Sequence, residues 1–154
     1  MQQLDSKALS RLLQEASQSP RKRAHLLLHS GQADPVQRLL IALQPGSYIR
    51  PHHHSVQWEI LAVLRGRGQW LHFSDAGELL DRHELSSDTP VAQIPVGTWH
   101  GFLVLDPDTV LMEIKPGPYR ASEFAHWAPP EGDTTVTEFL DWLGQCRATR
   151  ETDN

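Results

Sequence analysis

The chain has 154 residues and a formal net charge of −5, with 14 Lys and Arg against 19 Asp and Glu. This length suits one domain that buries its own core, and the acidic balance argues against broad attraction to nucleic acid or anionic lipid. The single cysteine, Cys146, excludes an intrachain disulfide, and no stretch approaches the ~20 apolar residues of a membrane span. We therefore expect a cytoplasmic protein whose partner is a small molecule, and neither nucleic acid nor a membrane.

The first predicted element is an amphipathic helix from Ser6 to Ser17. Its apolar residues recur at helical spacing, at Leu9, Leu12, Leu13 and Ala16. Asp5 or Ser6 is available as its N-cap, and Pro20 lies beyond its end.

A series of short apolar runs follows this helix and predicts β-strands. The runs are Ala24 to His29, Val36 to Leu43, Ile60 to Leu64, Gln69 to Phe73, Leu79 to Leu85, Val91 to Ile94, Phe102 to Leu105 and Val110 to Ile114. Turn-forming segments rich in Gly, Pro, Asp and Ser separate them. Many short strands at this spacing indicate a sandwich or a small barrel, which protects strand edges that an open sheet would expose.

A second helix is predicted near the end of the chain. Its apolar stripe is formed by Val136, Phe139, Leu140 and Leu143. Thr135 and Glu138 have the spacing of a capping box. We divide the chain into an N-terminal helix and strand (1–30), a barrel (31–118) and a wrapping segment with the C-terminal helix (119–154), which together form one domain.

Three histidines stand in a row at 52–54, and their alternation indicates a metal site. In an extended segment, side chains at alternate positions share a face, so Arg50, His52 and His54 point the same way and His53 points away. Glu59 follows after a turn-length gap and can join them from the next strand. Imidazole and carboxylate are ligands for divalent transition metals.

A fourth ligand is predicted from the segment 95–100, which reads Pro-Val-Gly-Thr-Trp-His. Proline and glycine shape a turn, and this turn delivers His100 into the following strand. The residues His52, His54, Glu59 and His100 then surround one point inside the barrel. We expect one divalent ion there, of Zn, Fe, Ni, Mn, Co or Cu, with open positions for water or substrate.

The spacing of these residues resembles the cupin superfamily. Gly46, five residues, His52-His53-His54, four residues, Glu59, six residues and Gly66 reproduce its first motif, and 95–100 matches the centre of its second. Thr89 and Val104 depart from the glycine and asparagine usual in the second motif. The resemblance implies a mainly β fold, a cupin (double-stranded β-helix, jelly-roll) barrel with an N-terminal and a C-terminal helix, and the four metal ligands above.

A wider resemblance, to the WbuC-type cupin metalloproteins, covers most of the chain. It is carried by five segments, 19–25, 34–38, 50–52, 117–119 and 124–129. It implies a role in surface-polysaccharide (O-antigen) biosynthesis. Because dimers are common among cupins, we also expect a homodimer.

Several further residues are candidates for binding or catalysis. Arg50 shares the face of the ligands and can either bind an anionic substrate group or form an ion pair at the barrel mouth. Arg23 lies in a short basic run that is either a solvated surface patch or a site for a substrate phosphate, and His25 can contact substrate. Glu113 can act as a general acid or base, although an outward salt-bridging position is equally compatible with the sequence, and Tyr48 shares the parity of Arg50.

Three functions remain open from the sequence. The first is a metal-dependent isomerase, epimerase or lyase that acts on a small polar substrate such as a sugar nucleotide or sugar phosphate. The second is a metal-dependent dioxygenase. The third is a non-catalytic module that binds a sugar or metabolite. A metal site alone does not identify a reaction.

Overall fold

The computed structural model describes residues 4–149, which form two helices and ten strands. In chain order the elements are α1 (Ser6–Gln18), β1 (Arg23–Leu27), β2 (Val36–Leu43), β3 (Ile49–His53), β4 (Glu59–Arg65), β5 (Gly68–Phe73), β6 (Leu79–Leu85), β7 (Val91–Ile94), β8 (Trp99–Val104), β9 (Thr109–Pro116), β10 (Glu123–Phe124) and α2 (Val136–Gln145). Within this described range no helix is long and apolar enough to cross a membrane.

Helix α1 forms where the sequence predicts it. The Asp5 side chain caps it by accepting the N–H of Ala8 at 2.8 Å. Its apolar face buries Leu12, Leu13 and Ala16 against side chains of β2 and β9. Fully burying a leucine side chain contributes about 1.5–3 kcal/mol, so this face fixes the helix to the outside of one sheet.

The strands form two antiparallel five-stranded sheets. One has the order β1-β2-β9-β4-β7 and the other β10-β3-β8-β5-β6. Between them lies a core to which both sheets contribute, with Leu39, Ile41, Leu61, Trp70, Phe102 and Leu111 among its residues. This architecture confirms the predicted mainly β, jelly-roll cupin fold with a helix at each end.

Two strands add to the sheets from outside 31–118. Strand β1 pairs with β2 in register from Arg23 with Leu43 to Leu27 with Leu39. Strand β10, which the sequence pattern does not predict, pairs with β3, placing Phe124 opposite His52. The segments on both sides of the barrel are thus part of its walls, and the three-part division of the domain stays a prediction.

Helix α2 forms as predicted, but the predicted capping box is wrong. The Thr135 hydroxyl donates to Asp133 Oδ1 at 2.7 Å and makes no cap to the helix. Asp133 lies two residues upstream and captures this hydroxyl because local side-chain bonds compete with capping. The helix still buries Leu143 against the second sheet, and Cys146 forms its C-cap.

Candidate metal centre

Four predicted ligands meet at the end of the barrel. His52 on β3 pairs directly with His100 on β8, and Glu59 begins β4. His54 follows β3, and its carbonyl accepts the N–H of Gly97 at 2.9 Å. Gly97 has a φ of +75°, which a side chain would disfavour. The turn that precedes His100 is therefore hydrogen-bonded directly to the ligand residue His54.

The ligand atoms of His52, His54, Glu59 and His100 all lie within 4.8 Å of one another. His54 Nε2 is 2.7 Å from Glu59 Oε2, and His100 Nε2 is 3.8 Å from the same oxygen. Three of the four residues are buried and His52 is partly buried. Three nitrogens and one carboxylate at this spacing can hold one metal ion.

Hydrogen bonds fix which ring nitrogens face the centre. The Nδ1 atoms of His52 and His100 lie 2.9 Å and 2.8 Å from the carbonyls of Arg50 and Thr98. A ring that donates Nδ1–H to a carbonyl presents a lone pair at Nε2, as metal-bound histidines do. His100 Nε2 is buried and has no hydrogen-bond partner within residues 4–149. A bound metal would satisfy this atom, so the residues fit a divalent transition metal.

The protonation states also suit a metal. Burial lowers the pKa of His52 to about 3 and lowers the pKa of His100. Burial alone would raise the pKa of Glu59, but the hydrogen bond with His54 and the electrostatic interactions with its other neighbours, Lys115 among them, hold it at about 2. Neutral imidazoles beside an ionised carboxylate are the forms that bind metal.

A cavity of about 510 Å³ opens beside the cluster, with His52 in its wall. Glu113 and Lys115 on β9 also line it, with Glu113 Oε1 and Lys115 Nζ 2.6 Å apart and side chains 13% and 11% exposed. Burial and the charge of Glu59 raise the pKa of Glu113. Burial opposes the charge on Lys115, but the carboxylates of Glu113 and Glu59 raise its pKa. The structure thus places Glu113 inside the barrel, in an ion pair on the cavity wall.

The three predicted substrate-binding residues also line this cavity. Arg50 donates to the carbonyl of Ala125 at 2.7 Å, and its guanidinium lies 5.5 Å from the ring centroid of Phe124. Its buried Nε has no partner in the described part of the chain. Arg23 binds the Tyr48 carbonyl and the Glu131 carboxylate, and His25, two residues further along β1, also lines the cavity.

Tyr48 is predicted to reach the site, but in the structure its side chain points away from the cavity. Its hydroxyl donates to the carbonyl of Pro129 at 2.8 Å, and its ring packs edge-on against Phe139 at 6.0 Å. Burial raises its pKa to about 12. Tyr48 precedes β3, and the pairing register of β3 shifts between Ile49 and His52. Regular alternation of side chains therefore does not place Tyr48 on the same face as Arg50.

His53 points away from the cluster, as alternation predicts. Its Nε2 lies 3.4 Å from Glu123, and its ring lies 4.2 Å from that of Trp99. The sequence interpretation missed Ser122, whose hydroxyl is 3.4 Å from His54 Nδ1, and Glu131 at the cavity wall. Both lie in the segment after the barrel, where no strand or helix periodicity marks them.

Solved structures of cupins share this fold. A cupin-2 domain protein from Rhodospirillum rubrum has a TM-score of 0.55 at 18% identity, over 79% of each chain. Oxalate oxidase in complex with glycolate has a TM-score of 0.56 at 18% identity, over 70% of this chain and 57% of the other. The capsular polysaccharide assembling protein CapF from Staphylococcus aureus has a TM-score of 0.54 at 21% identity, over 66% of this chain and 34% of the other. The chain therefore spans little more than half of the oxalate oxidase and one third of CapF.

A family assignment comes from the sequence comparison. No curated protein matches the chain. A family model described as "Domain of unknown function (DUF6016)" matches residues 4–85, which is more than half of the chain. The matched range includes the three ligands His52, His54 and Glu59. The chain belongs to the DUF6016 family, and it has the cupin fold with a candidate metal centre.

Proposed function

We propose that the chain is a metal-dependent enzyme that acts on a small polar substrate, such as a sugar nucleotide or sugar phosphate, in surface-polysaccharide (O-antigen) biosynthesis. The observation that carries this proposal is a metal-type cluster that shares a cavity with the buried pair of Glu113 and Lys115. Two resemblances support the pathway, that of the sequence to WbuC-type cupins and that of the fold to CapF.

In this proposal His52, His54, Glu59 and His100 hold one divalent ion. Zinc, iron, nickel, manganese, cobalt and copper all accept this set of ligands. When bound, the ion would act as a Lewis acid that polarises a carbonyl or hydroxyl oxygen of the substrate.

The other residues of the cavity bind the substrate and move a proton. Arg50 offers an unpaired, buried Nε–H, which suits an anionic group of the substrate. Glu113 takes a proton from the carbon next to the polarised group onto a carboxylate oxygen and returns it to a neighbouring atom. Transfer to the neighbouring atom gives an isomerisation, whereas return of the proton to the opposite face of the same carbon would give an epimerisation. Lys115 holds the Glu113 carboxylate in place at 2.6 Å.

A second candidate is a metal-dependent dioxygenase. It is favoured by the set of three histidines and one glutamate. A module that binds a sugar or metabolite without turnover is the third candidate.

The cytoplasmic location and the homodimer also remain proposals. Sedimentation of the purified protein tests the homodimer.

Hydrogen exchange tests the proposed reaction. Metal-loaded protein is incubated in D₂O with a panel of sugar phosphates and nucleotide sugars, and deuterium entering the substrate carbon skeleton is followed by NMR. We expect exchange with wild-type protein, none with Glu113→Gln, and unchanged exchange with the control Arg65→Gln, which alters an exposed ion pair. Substrate-dependent oxygen uptake without exchange would select the dioxygenase, and binding without either would select the module.

A further inference from the structure

The cavity is positively charged although the chain is acidic. Its wall carries four cationic side chains, Arg21, Arg23, Arg50 and Lys115, and two acidic ones, Glu113 and Glu131, which leaves a net +2 with neutral histidines. The whole chain has a net charge of −5. A concave, locally cationic site in an acidic protein attracts an anionic ligand.

Two of these arginines share one carboxylate. Arg21 donates from Nε and Nη2 to the two oxygens of Glu131, at 2.6 Å and 2.7 Å, and Arg23 Nη2 donates to Glu131 at 2.9 Å. The Arg23 side chain is only 9% exposed, whereas that of Arg21 is 56% exposed. Two guanidinium groups facing a single carboxylate keep an excess positive charge. The fork geometry is the one in which arginine binds carboxylate or phosphate.

This arginine pair lies far from the metal cluster along the barrel. Arg23 binds the carbonyl of Tyr48, four residues before His52, and four extended residues span at most about 14 Å. On the other sheet Arg23 lies four residues before Leu27 on the regular strand β1, which is about 13 Å along the strand. Leu27 pairs with Leu39, which pairs with Glu113. The cavity therefore has a metal end and an arginine end.

We propose that Arg21 and Arg23 form a phosphate subsite about 13 Å along the strands from the metal end, and that the Glu131 carboxylate occupies this subsite until the ligand displaces it. The spacing selects an elongated ligand whose phosphate is separated from its reacting group, as in a nucleotide sugar, over one that is phosphorylated next to that group. Identifying the metal end as the reacting end rests on the proposed function. Phosphate binding to the arginine pair is independent of that function.

Calorimetric titration of the full-length protein with inorganic phosphate and pyrophosphate tests the subsite. Glu131→Gln keeps the shape of the side chain and removes its charge. Because like charges about 4 Å apart in water repel by about 1 kcal/mol, we expect this variant to bind either anion about fivefold more tightly than wild type. Adding Arg21→Gln, a change at an exposed side chain that does not threaten folding, should reverse this gain. Arg65→Gln, which removes a surface arginine outside the cavity, should bind like wild type.

Two results would overturn the subsite. One is an affinity that is unchanged or weaker in Glu131→Gln, and the other is an affinity that Arg21→Gln leaves unaltered. Either result would mean that the ion pair of Glu131 with Arg21 and Arg23 only stabilises the fold.

Cobalt spectra separate this inference from the proposed function. In Co²⁺-loaded protein, phosphate bound at the arginine pair should leave the visible spectrum of the ion unchanged, whereas phosphate bound to the ion would alter it and contradict the placement. If the protein binds no Co²⁺, the metal proposal fails, but the titrations of the Glu131 and Arg21 variants still decide the subsite.

Discussion

Replacing Lys115 with methionine should destabilise the metal-free protein by about 3–5 kcal/mol, the cost typical of leaving a buried charge without its partner. Lys115 Nζ lies 2.6 Å from Glu113 Oε1, and both side chains are almost fully buried. The charge of Glu59 also acts on Lys115 and on Glu113. Without the ammonium group, Glu113 faces a second carboxylate in a site of low dielectric constant.

Removing both charges should cost less than the single changes suggest. Glu113→Gln leaves Lys115 with the carboxylate of Glu59, so its cost should be about 1–3 kcal/mol, as for a broken buried hydrogen bond. In Glu113→Gln/Lys115→Met no charge of the pair remains unpartnered. We therefore expect the double variant to be more stable than the sum of the two losses implies, by about 1–3 kcal/mol.

Urea unfolding of chelator-treated protein, followed by far-ultraviolet circular dichroism, measures all four free energies. The exposed pair of Arg67 and Asp106 serves as a control, and Arg67→Gln should cost less than about 1 kcal/mol because water screens the pair. Additive losses for Glu113→Gln and Lys115→Met would refute a strong coupling. A loss for Lys115→Met no larger than that for Arg67→Gln would show that the pair is solvated.

Three further predictions follow from the fold. Leu12→Ala should lower the free energy of unfolding by about 2–4 kcal/mol in urea, because Leu12 is 3% exposed, and an accompanying loss of bound metal would contradict the remote position of α1. Burial alone would raise the pKa of Glu131, but the arginines that bind it hold this pKa below its usual value of 4.5. Its stabilisation is therefore complete above pH 4.5 and is lost as the pH falls through the lowered pKa. The stability difference between wild type and Glu131→Gln, at most about 1 kcal/mol, should shrink during acid titration, and a growing difference would oppose this sign. Tyr48→Phe should cost about 0.5–1.5 kcal/mol through the lost hydrogen bond to Pro129 without changing the metal content, and loss of metal would contradict its placement outside the cavity.

The metal cluster could be predicted from the sequence because its determinants are local. Alternation along a strand places His52 and His54 on one face, and a proline-glycine turn delivers His100. Glu59 follows from the buried parity of β4, where Leu61 and Val63 join the core. Each step depends on neighbouring residues in the chain, and strand pairing then closes the site.

The prediction from side-chain alternation failed in β3, where the strand is irregular. Ile49 and Arg50 are adjacent, yet both line the cavity, which strict alternation does not allow. The register shift within β3 explains this, and it also explains why Tyr48 leaves the site. A bulge depends on the pairing strand, so the sequence of β3 alone does not reveal it.

The arginine end of the cavity depends on contacts that are distant in the chain. Glu131 reaches Arg21 and Arg23 across more than one hundred residues. Phe124 reaches Arg50 through the short strand β10. The path of the segment after the barrel is set by these contacts and by no local periodicity, so sequence patterns do not predict it.

Elemental analysis of untagged protein purified without added metal tests the central claim most directly. Wild type should carry close to one divalent ion per chain, and both His54→Ala and His100→Ala should lose it. His53→Ala, which changes the histidine that faces away from the cluster, should retain it. A wild-type protein that carries no metal and binds none on titration would contradict the metal centre, as would variants at 54 and 100 that keep a full complement.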